Sequence, residues 1–222
     1  MVVKALVMVE GISDKVLVEL LVKKLELNQK CEVVTFAETK EGFIGITRAQ
    51  LNNPVACLVL LKDLEEMDEA NMAATVENAL YSLEKVKGLT QLQWRFSSGA
   101  TFHLIPVGLP DDPNLKSLGI RRHTMESHLL RFIFDHPEKC VHERTGHLID
   151  DPQSLLNQIL PIVRRHDPPL DSAKDVFQVL RGILGWTGGP RDWLNRMLRD
   201  VSVESEPAFK MLCTRLKQAI VK

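Results

Sequence analysis

Apolar and polar positions alternate along the first two thirds of the chain in two rhythms. Residues 2–9 form an apolar, β-branched run broken only by Lys4, which predicts a strand buried on both faces. Gly11 ends it. Val16, Leu17, Leu20, Leu21 and Leu25 then recur at helical spacing. Ser13 is the expected cap, with Asp14 in the first turn, where the helix dipole favours an anion. Residues 31–36 predict a second strand, and a short helix over roughly 43–51 leads to a third, 55–61, the most apolar run in the chain. That run stops abruptly at Lys62-Asp63-Leu64-Glu65-Glu66-Met67-Asp68-Glu69. A long helix over about 70–87 follows. Then come a fourth strand at 101–107, a polar loop at 111–118, and a helix at 125–134 beginning near Thr124. Past about residue 150 strands disappear, and helical patterns occupy 152–165, 172–184, 190–201 and 207–221. Pro168-Pro169 and Gly188-Gly189-Pro190 punctuate them.

Strands that alternate with helices assemble as βαβ units in a mostly parallel sheet. The expectation is therefore an α/β domain over residues 1–150, with an α-helical C-terminal extension over 151–222. No internal repeat interrupts this order.

Composition narrows the class. With 222 residues, 45% of them hydrophobic, the chain can bury a core without disulfides. No stretch approaches the ~20 apolar residues that cross a bilayer. The N-terminal run turns polar by Glu10, so it does not read as a signal peptide. Cys31, Cys57, Cys140 and Cys213 lie far apart and form no C-x-x-C pair, which excludes a zinc ribbon or thioredoxin motif. Cys31 and Cys57 read as reduced core residues, and a cytoplasmic location with no membrane partner is expected. The net charge of -1 hides an asymmetry. Residues 1–70 carry 8 Lys/Arg against 12 Asp/Glu, and residues 152–222 carry 11 against 7. Charge alone does not announce a nucleic-acid binder.

The acids are placed more tellingly than their number suggests. In an open parallel sheet, ligands bind beyond the carboxyl ends of the strands. Strand one ends in Glu10, and Asp14 follows within the first helical turn. Strand three ends in Asp63, with Glu65 two residues on, and strand four leads to Glu126 at a helix start. Bare carboxylates held together repel until a proton or a cation neutralises them. A hard divalent ion such as Mg²⁺ takes oxygen ligands and keeps several waters. Two such ions can serve phosphoryl transfer. Taken alone, 63–69 also reads as a solvated, acid-rich helix start.

The residues Val9-Glu10-Gly11-Ile12-Ser13-Asp14-Lys15-Val16-Leu17 resemble the V-E-G-x-[ST]-D-K-x-x-L signature of the TOPRIM domain in its OLD-type nuclease branch. Asp63-Leu64-Glu65 is similar to that family's strand-end D-x-D, and Thr124-Met125-Glu126-Ser127-His128-Leu129-Leu130 looks like its later acidic element. The resemblance covers roughly residues 1–135. It implies a TOPRIM-like, Rossmann-like, mostly parallel four-stranded sheet flanked by helices. It also implies Mg²⁺- or Mn²⁺-dependent cleavage or joining of nucleic-acid phosphodiesters. Glu10, Asp14, Asp63, Glu65 and Glu126 would be the metal carboxylates. OLD-type sites also use a lysine after the last acid, for which Lys174 is the candidate and Lys15 a weaker one. Catalytic roles would then fall to Glu10, Asp63 and Lys174.

The sequence departs from the family in two places. Glu65 stands where the pattern has an aspartate, and Asp68 is the substitute considered for it. No G-x-x-x-x-G-K-[ST] occurs, so ATP hydrolysis is not expected and the chain reads as a stand-alone relative. Tyr81, the one tyrosine, reads as a packing residue in mid-helix, which argues against a topoisomerase.

Other metal-capable or basic groups read as ordinary structure. Cys140, His142 and His147 match no zinc spacing, and His123 and His128 read as surface histidines. Arg121-Arg122 and Arg164-Arg165 are equally phosphate contacts or solubilising charge, and Trp186 reads as packed in a turn.

The leading expectation is a metal-dependent nuclease acting on DNA or RNA, alone, as a homodimer or with a protein partner. The alternative is a non-catalytic TOPRIM-like binding module in a defence, repair or toxin–antitoxin complex, motivated by Glu65 and the missing ATPase. A third option is phosphotransfer on a small phosphate ester.

Overall fold

Parallel strands buried on both faces give the molecule its frame. The computed structural model describes residues 5–37, 39–51, 57–165 and 170–221. Expected strand residues 2–4, 55 and 56, and the Pro168-Pro169 break, lie outside them. Strand β1 is Ala5–Val9, β2 Cys31–Thr35, β3 Cys57–Asp63, β4 Val86–Thr90, β5 Gln93–Phe96 and β6 Thr101–Val107. They form a single six-stranded sheet in the order β2-β1-β3-β6-β5-β4. The pairs β1–β2, β1–β3 and β3–β6 are parallel, whereas β5 pairs antiparallel with both β4 and β6.

The side-chain period of two sorts each strand between two cores. Val7, Val9, Val59, Leu61, Ile105 and Val107 face one side. Leu6, Met8, Leu58, Leu60, Phe102 and Leu104 face the other. Helices α2 (Gly42–Leu51) and α3 (Glu69–Tyr81) cover the second side. Met72, Val76 and Leu80 of α3 are buried at i, i+4 and i+8, the stripe a helix turns inward.

The first side is covered by α1 (Ile12–Lys24), by α4 (Pro113–Ser117) and α5 (Glu126–Asp135), and by the four C-terminal helices. These are α6 (Pro152–Val163), α7 (Ala173–Leu184), α8 (Pro190–Leu198) and α9 (Pro207–Ile220). Helix α8 lies on α1, α7 on α5, and α9 on α5, β3 and β6. Pro at the first turn starts α6, α8 and α9, where its missing N–H costs nothing. Gly185 ends α7 at φ +64, a left-handed cap that a residue with a Cβ adopts only with strain.

Several expectations needed correction. The sheet has six strands instead of four, because 86–96 forms a hairpin where the sequence suggests a helix running on to residue 87. Only Val86 of β4 is buried, and Trp94 and Phe96 of β5 pack against Phe102. Tyr81 is the last residue of α3 and half exposed, not packed in mid-helix. Gly11, not Ser13, caps α1. The supposed polar loop 111–118 holds α4, capped by the Asp112 carboxylate. None of the four cysteines is in a disulfide. Among the described residues no helix is long and apolar enough to cross a membrane.

Candidate functional site

With β1 and β3 adjacent, and β2 and β6 outside them, the chain leaves the sheet in opposite directions after β1 and β3. Such a switch point opens a crevice beyond the strand ends. Glu10 follows β1 directly and is exposed, and Asp63 is the last residue of β3. Met8 pairs with Leu60, so the two acids leave neighbouring strands at nearly the same level. Asp14, third in α1, turns back so that its Oδ2 accepts from the Gly11 N–H at 2.9 Å.

The end of β3 is held in an unusual shape. Leu64 is buried and donates its N–H to the Val107 carbonyl. Glu65 then takes φ +53, a left-handed conformation that costs a residue with a side chain on the order of 1–2 kcal/mol. Two backbone hydrogen bonds with His123, at 2.8 and 2.9 Å, hold it there. On its far side the same loop is tied to the entry of α7. Arg121 and Arg122 donate to the Asp171 carbonyl, and Ala173 donates to the Arg122 carbonyl. The Arg122 guanidinium adds an ion pair with Asp171 at 2.9 Å. Glu65, the approach to Glu126 and the start of α7 are thereby stitched together, and Lys174 stands exposed as the second residue of α7.

Asp63 reaches across to α5, where its Oδ1 accepts from the Met125 N–H at 3.0 Å. One residue on, Glu126 is only 6% exposed, and its Oε2 accepts the Thr124 hydroxyl at 2.7 Å. One oxygen each of Asp14, Asp63 and Glu126 is thus oriented by a donor.

Gly108, just beyond β6, makes this approach feasible. It sits at φ +139, and a Cβ there would lie 2.7 Å from the His123 Cβ. Gly108→Ala should therefore destabilise the fold by at least ~2 kcal/mol, from backbone strain plus overlap. Denaturant unfolding should show the loss as a lower midpoint at unchanged slope.

The five acids feel one another. Burial first, then the charges of Asp14, Glu126, Glu10 and Glu65, push the Asp63 carboxyl up to about 8. Burial pushes Asp14 up to about 6, against the Gly11 N–H; Glu126 and Glu10 add to the rise, and Lys174 opposes it. Burial also raises Glu65, with Arg122 opposing. Even so, among the described residues no three His, Cys, Asp or Glu side chains converge closely enough to enclose an ion. The donors are all hard oxygens, which suits Mg²⁺ or Mn²⁺. An ion of this kind can take one or two carboxylates directly and keep its waters.

The neighbouring candidates sort differently. Asp68 caps α3 through the Asn71 N–H at 2.7 Å, and Glu69 opens that helix. The helix-start reading of 63–69 therefore describes Asp68 and Glu69, but not Asp63 or Glu65. Lys15 lies 3.9 Å from Glu19 on its own helix. The two histidines beside Glu126 are buried, not at the surface. His128 Nδ1 donates to the Ala208 carbonyl at 2.6 Å, and burial lowers the imidazole to about 4. Arg164 bonds the Leu118 and Leu170 carbonyls, a structural tie. Trp186 is packed, its indole N–H on the Val141 carbonyl. Cys140 is fully buried, and His142 accepts from the Thr145 N–H. Sequence reasoning missed Thr124, Gly108 and the hydrogen bond that the Met125 N–H donates to Asp63. Of these, Thr124 carried the one available signal, a hydroxyl two residues before Glu126.

No protein-family model matches the chain, and no curated protein matches it. Solved structures similar to it include three of the C-terminal region of the Xanthomonas campestris pv. campestris OLD protein. The iodine-phased structure is 14% identical, with a TM-score of 0.48, and the match covers 98% of this chain and 95% of that one. For the mercury- and platinum-phased structures the values are 15% and 0.47, with 98% of this chain and 96% and 94% of theirs covered.

Proposed function

We propose that this chain is a divalent-metal-dependent nuclease that hydrolyses phosphodiester bonds of DNA or RNA. The observation that carries the reading is the position of Glu10 and Asp63 at the ends of adjacent parallel strands, on the switch point of the sheet. The Asp63–Met125 hydrogen bond adds Glu126 to the same crevice. In this reading Glu10, Asp14, Asp63, Glu65 and Glu126 hold Mg²⁺ or Mn²⁺. Bound there, a divalent ion supplies charge neutralisation at phosphate oxygens and favours deprotonation of water. Asp63 and Glu10 present oxygens from the strand ends. Asp14 and Glu126, each oriented by a local donor, complete the negative field that draws the cation in. Lys174, close enough to shift Asp14 and Glu65, offsets negative charge as it builds on the phosphoryl oxygens.

The test is incubation of plasmid, single-stranded DNA and RNA with the purified protein, in Mn²⁺ and in EDTA. Fragments in Mn²⁺ and none in EDTA are expected. No product in any arm overturns the reading. It would favour a second one, a non-catalytic binding module, which the lack of three converging ligands among the described residues supports.

Binding should also depend on pH in a set direction. A metal displaces protons from its carboxylates, so those on Asp14, at about 6, and Asp63, at about 8, compete with it. Mn²⁺ affinity should rise from pH 6 to 8, by at most about tenfold per unit for each proton displaced, and level off above. Titration calorimetry at three pH values checks this; a flat profile contradicts it.

A further inference from the structure

The structure assigns Thr124 as a positioning residue that sets the Glu126 carboxylate for its ion, an inference that rests on the divalent-metal reading above. A threonine before a helix normally accepts a backbone N–H two or three residues on. Thr124 does not. The Ser127 N–H goes to the Thr124 carbonyl at 3.0 Å, and the Met125 N–H is taken by Asp63 from another part of the chain. The Thr124 hydroxyl is left to donate to Glu126 Oε2 at 2.7 Å. It is itself held in place: Ser127 Oγ accepts from the Thr124 N–H at 3.3 Å and meets His123 Nδ1 at 3.4 Å. His123, Thr124, Glu126 and Ser127 are all less than a tenth exposed.

Burying four polar side chains is costly unless each is satisfied, and a satisfied network fixes geometry. Here it fixes two carboxylates through consecutive residues. Thr124 holds one oxygen of Glu126, and Met125 holds one oxygen of Asp63. The remaining oxygens are the ones available to a cation. A metal ligand freed from such a partner typically loses 10- to 100-fold in metal affinity.

Three readouts on the whole chain test this: Mn²⁺ affinity by paramagnetic resonance of the free ion, the rise in melting temperature that Mn²⁺ produces, and the metal-free melting temperature. Thr124→Val keeps the shape and removes the hydroxyl. It should weaken Mn²⁺ binding at least about tenfold and shrink the Mn²⁺-induced rise. Thr124→Ser should restore both to within about twofold. Thr124→Ala, which relieves any packing strain of valine, should behave as valine does, and replaces it should valine not fold. Wild-type affinity in the folded valine or alanine variant overturns the inference. If Asp63→Asn loses Mn²⁺ while the Thr124 variants do not, this inference alone fails. A wild-type protein that binds no Mn²⁺ overturns it together with the metal reading.

Discussion

Asp63→Asn should abolish Mn²⁺-dependent cleavage and, in the same protein, raise metal-free stability. The two effects have one cause. Asp63 lies partly buried beyond β3, among the charges of Asp14, Glu126, Glu10 and Glu65, and its carboxyl is pushed up to about 8 from an ordinary value near 3.8. The folded state therefore grips that proton more tightly than the unfolded state does. The associated stability is complete below pH ~4 and is lost as pH rises through about 8. An asparagine has no charge to repel, yet its amide oxygen can still accept the Met125 N–H that Asp63 Oδ1 accepts. The gain should be at least ~1 kcal/mol at pH 8 and should vanish near pH 4. Cleavage should fall at least ~100-fold, since charge neutralisation by a metal is worth several kcal/mol in the transition state.

Asp63→Ala separates the two roles, because it removes the charge and the acceptor together and leaves the Met125 N–H unmatched. It should lose cleavage equally but be less stable than the asparagine variant by ~1 kcal/mol. Glu10→Ala, at an exposed position, should lose cleavage with stability within ~0.5 kcal/mol of the parent. Should Asp63→Asn cut nucleic acid as the parent does, Asp63 is a helix cap and nothing more.

The frame was readable from sequence because its signals are local. Strands β1, β2, β3 and β6 are apolar runs of strand length, and α6 to α9 announce themselves by helical spacing, three of them with proline starts and α7 with a serine cap. The β4–β5 hairpin carries no such signal. Its turn is Gln91-Leu92, with none of the glycine or asparagine that marks a tight hairpin. Its edge strand Val-Lys-Gly-Leu-Thr buries a single side chain, so no alternation shows. What fixes the hairpin is Trp94 and Phe96 against Phe102, a contact made only once β6 is in place.

The site divides the same way. Glu10 and Asp63 could be picked out because strand ends are where a parallel sheet presents ligands. What the 63–69 run conceals is which acids cap a helix and which line a crevice. That division is drawn by Glu65 pairing with His123 and by Asp63 reaching Met125, 62 residues away. Neither pairing leaves a trace in spacing or composition.

Phe209→Ala should remove ~3–5 kcal/mol and still leave a single unfolding transition. Phe209 is fully buried near the start of α9, with its ring 5.7 Å from Phe132 and stacked on His128 at 6.3 Å. Both partners belong to α5, the helix that opens with Glu126. Two polar ties close the same seam: His128 with the Ala208 carbonyl, and His136 with Glu206 at 2.9 Å. The alanine leaves a cavity between α5 and α9 that neither ring can fill without breaking one of these ties. The apolar core on this side runs without interruption from Val7 and Val59 through Leu130 and Phe132 to Phe209 and Leu216. Helices 152–220 and the sheet therefore share one buried surface, so loosening α9 is felt by the sheet as well. Near-ultraviolet dichroism and the fluorescence of a variant that keeps Trp94 as its one tryptophan, with Trp186 and Trp193 replaced by phenylalanine, should report coincident midpoints, both shifted down. Two separated transitions would mean that the helical region folds as its own unit, and that the setting of Glu126 owes nothing to α9.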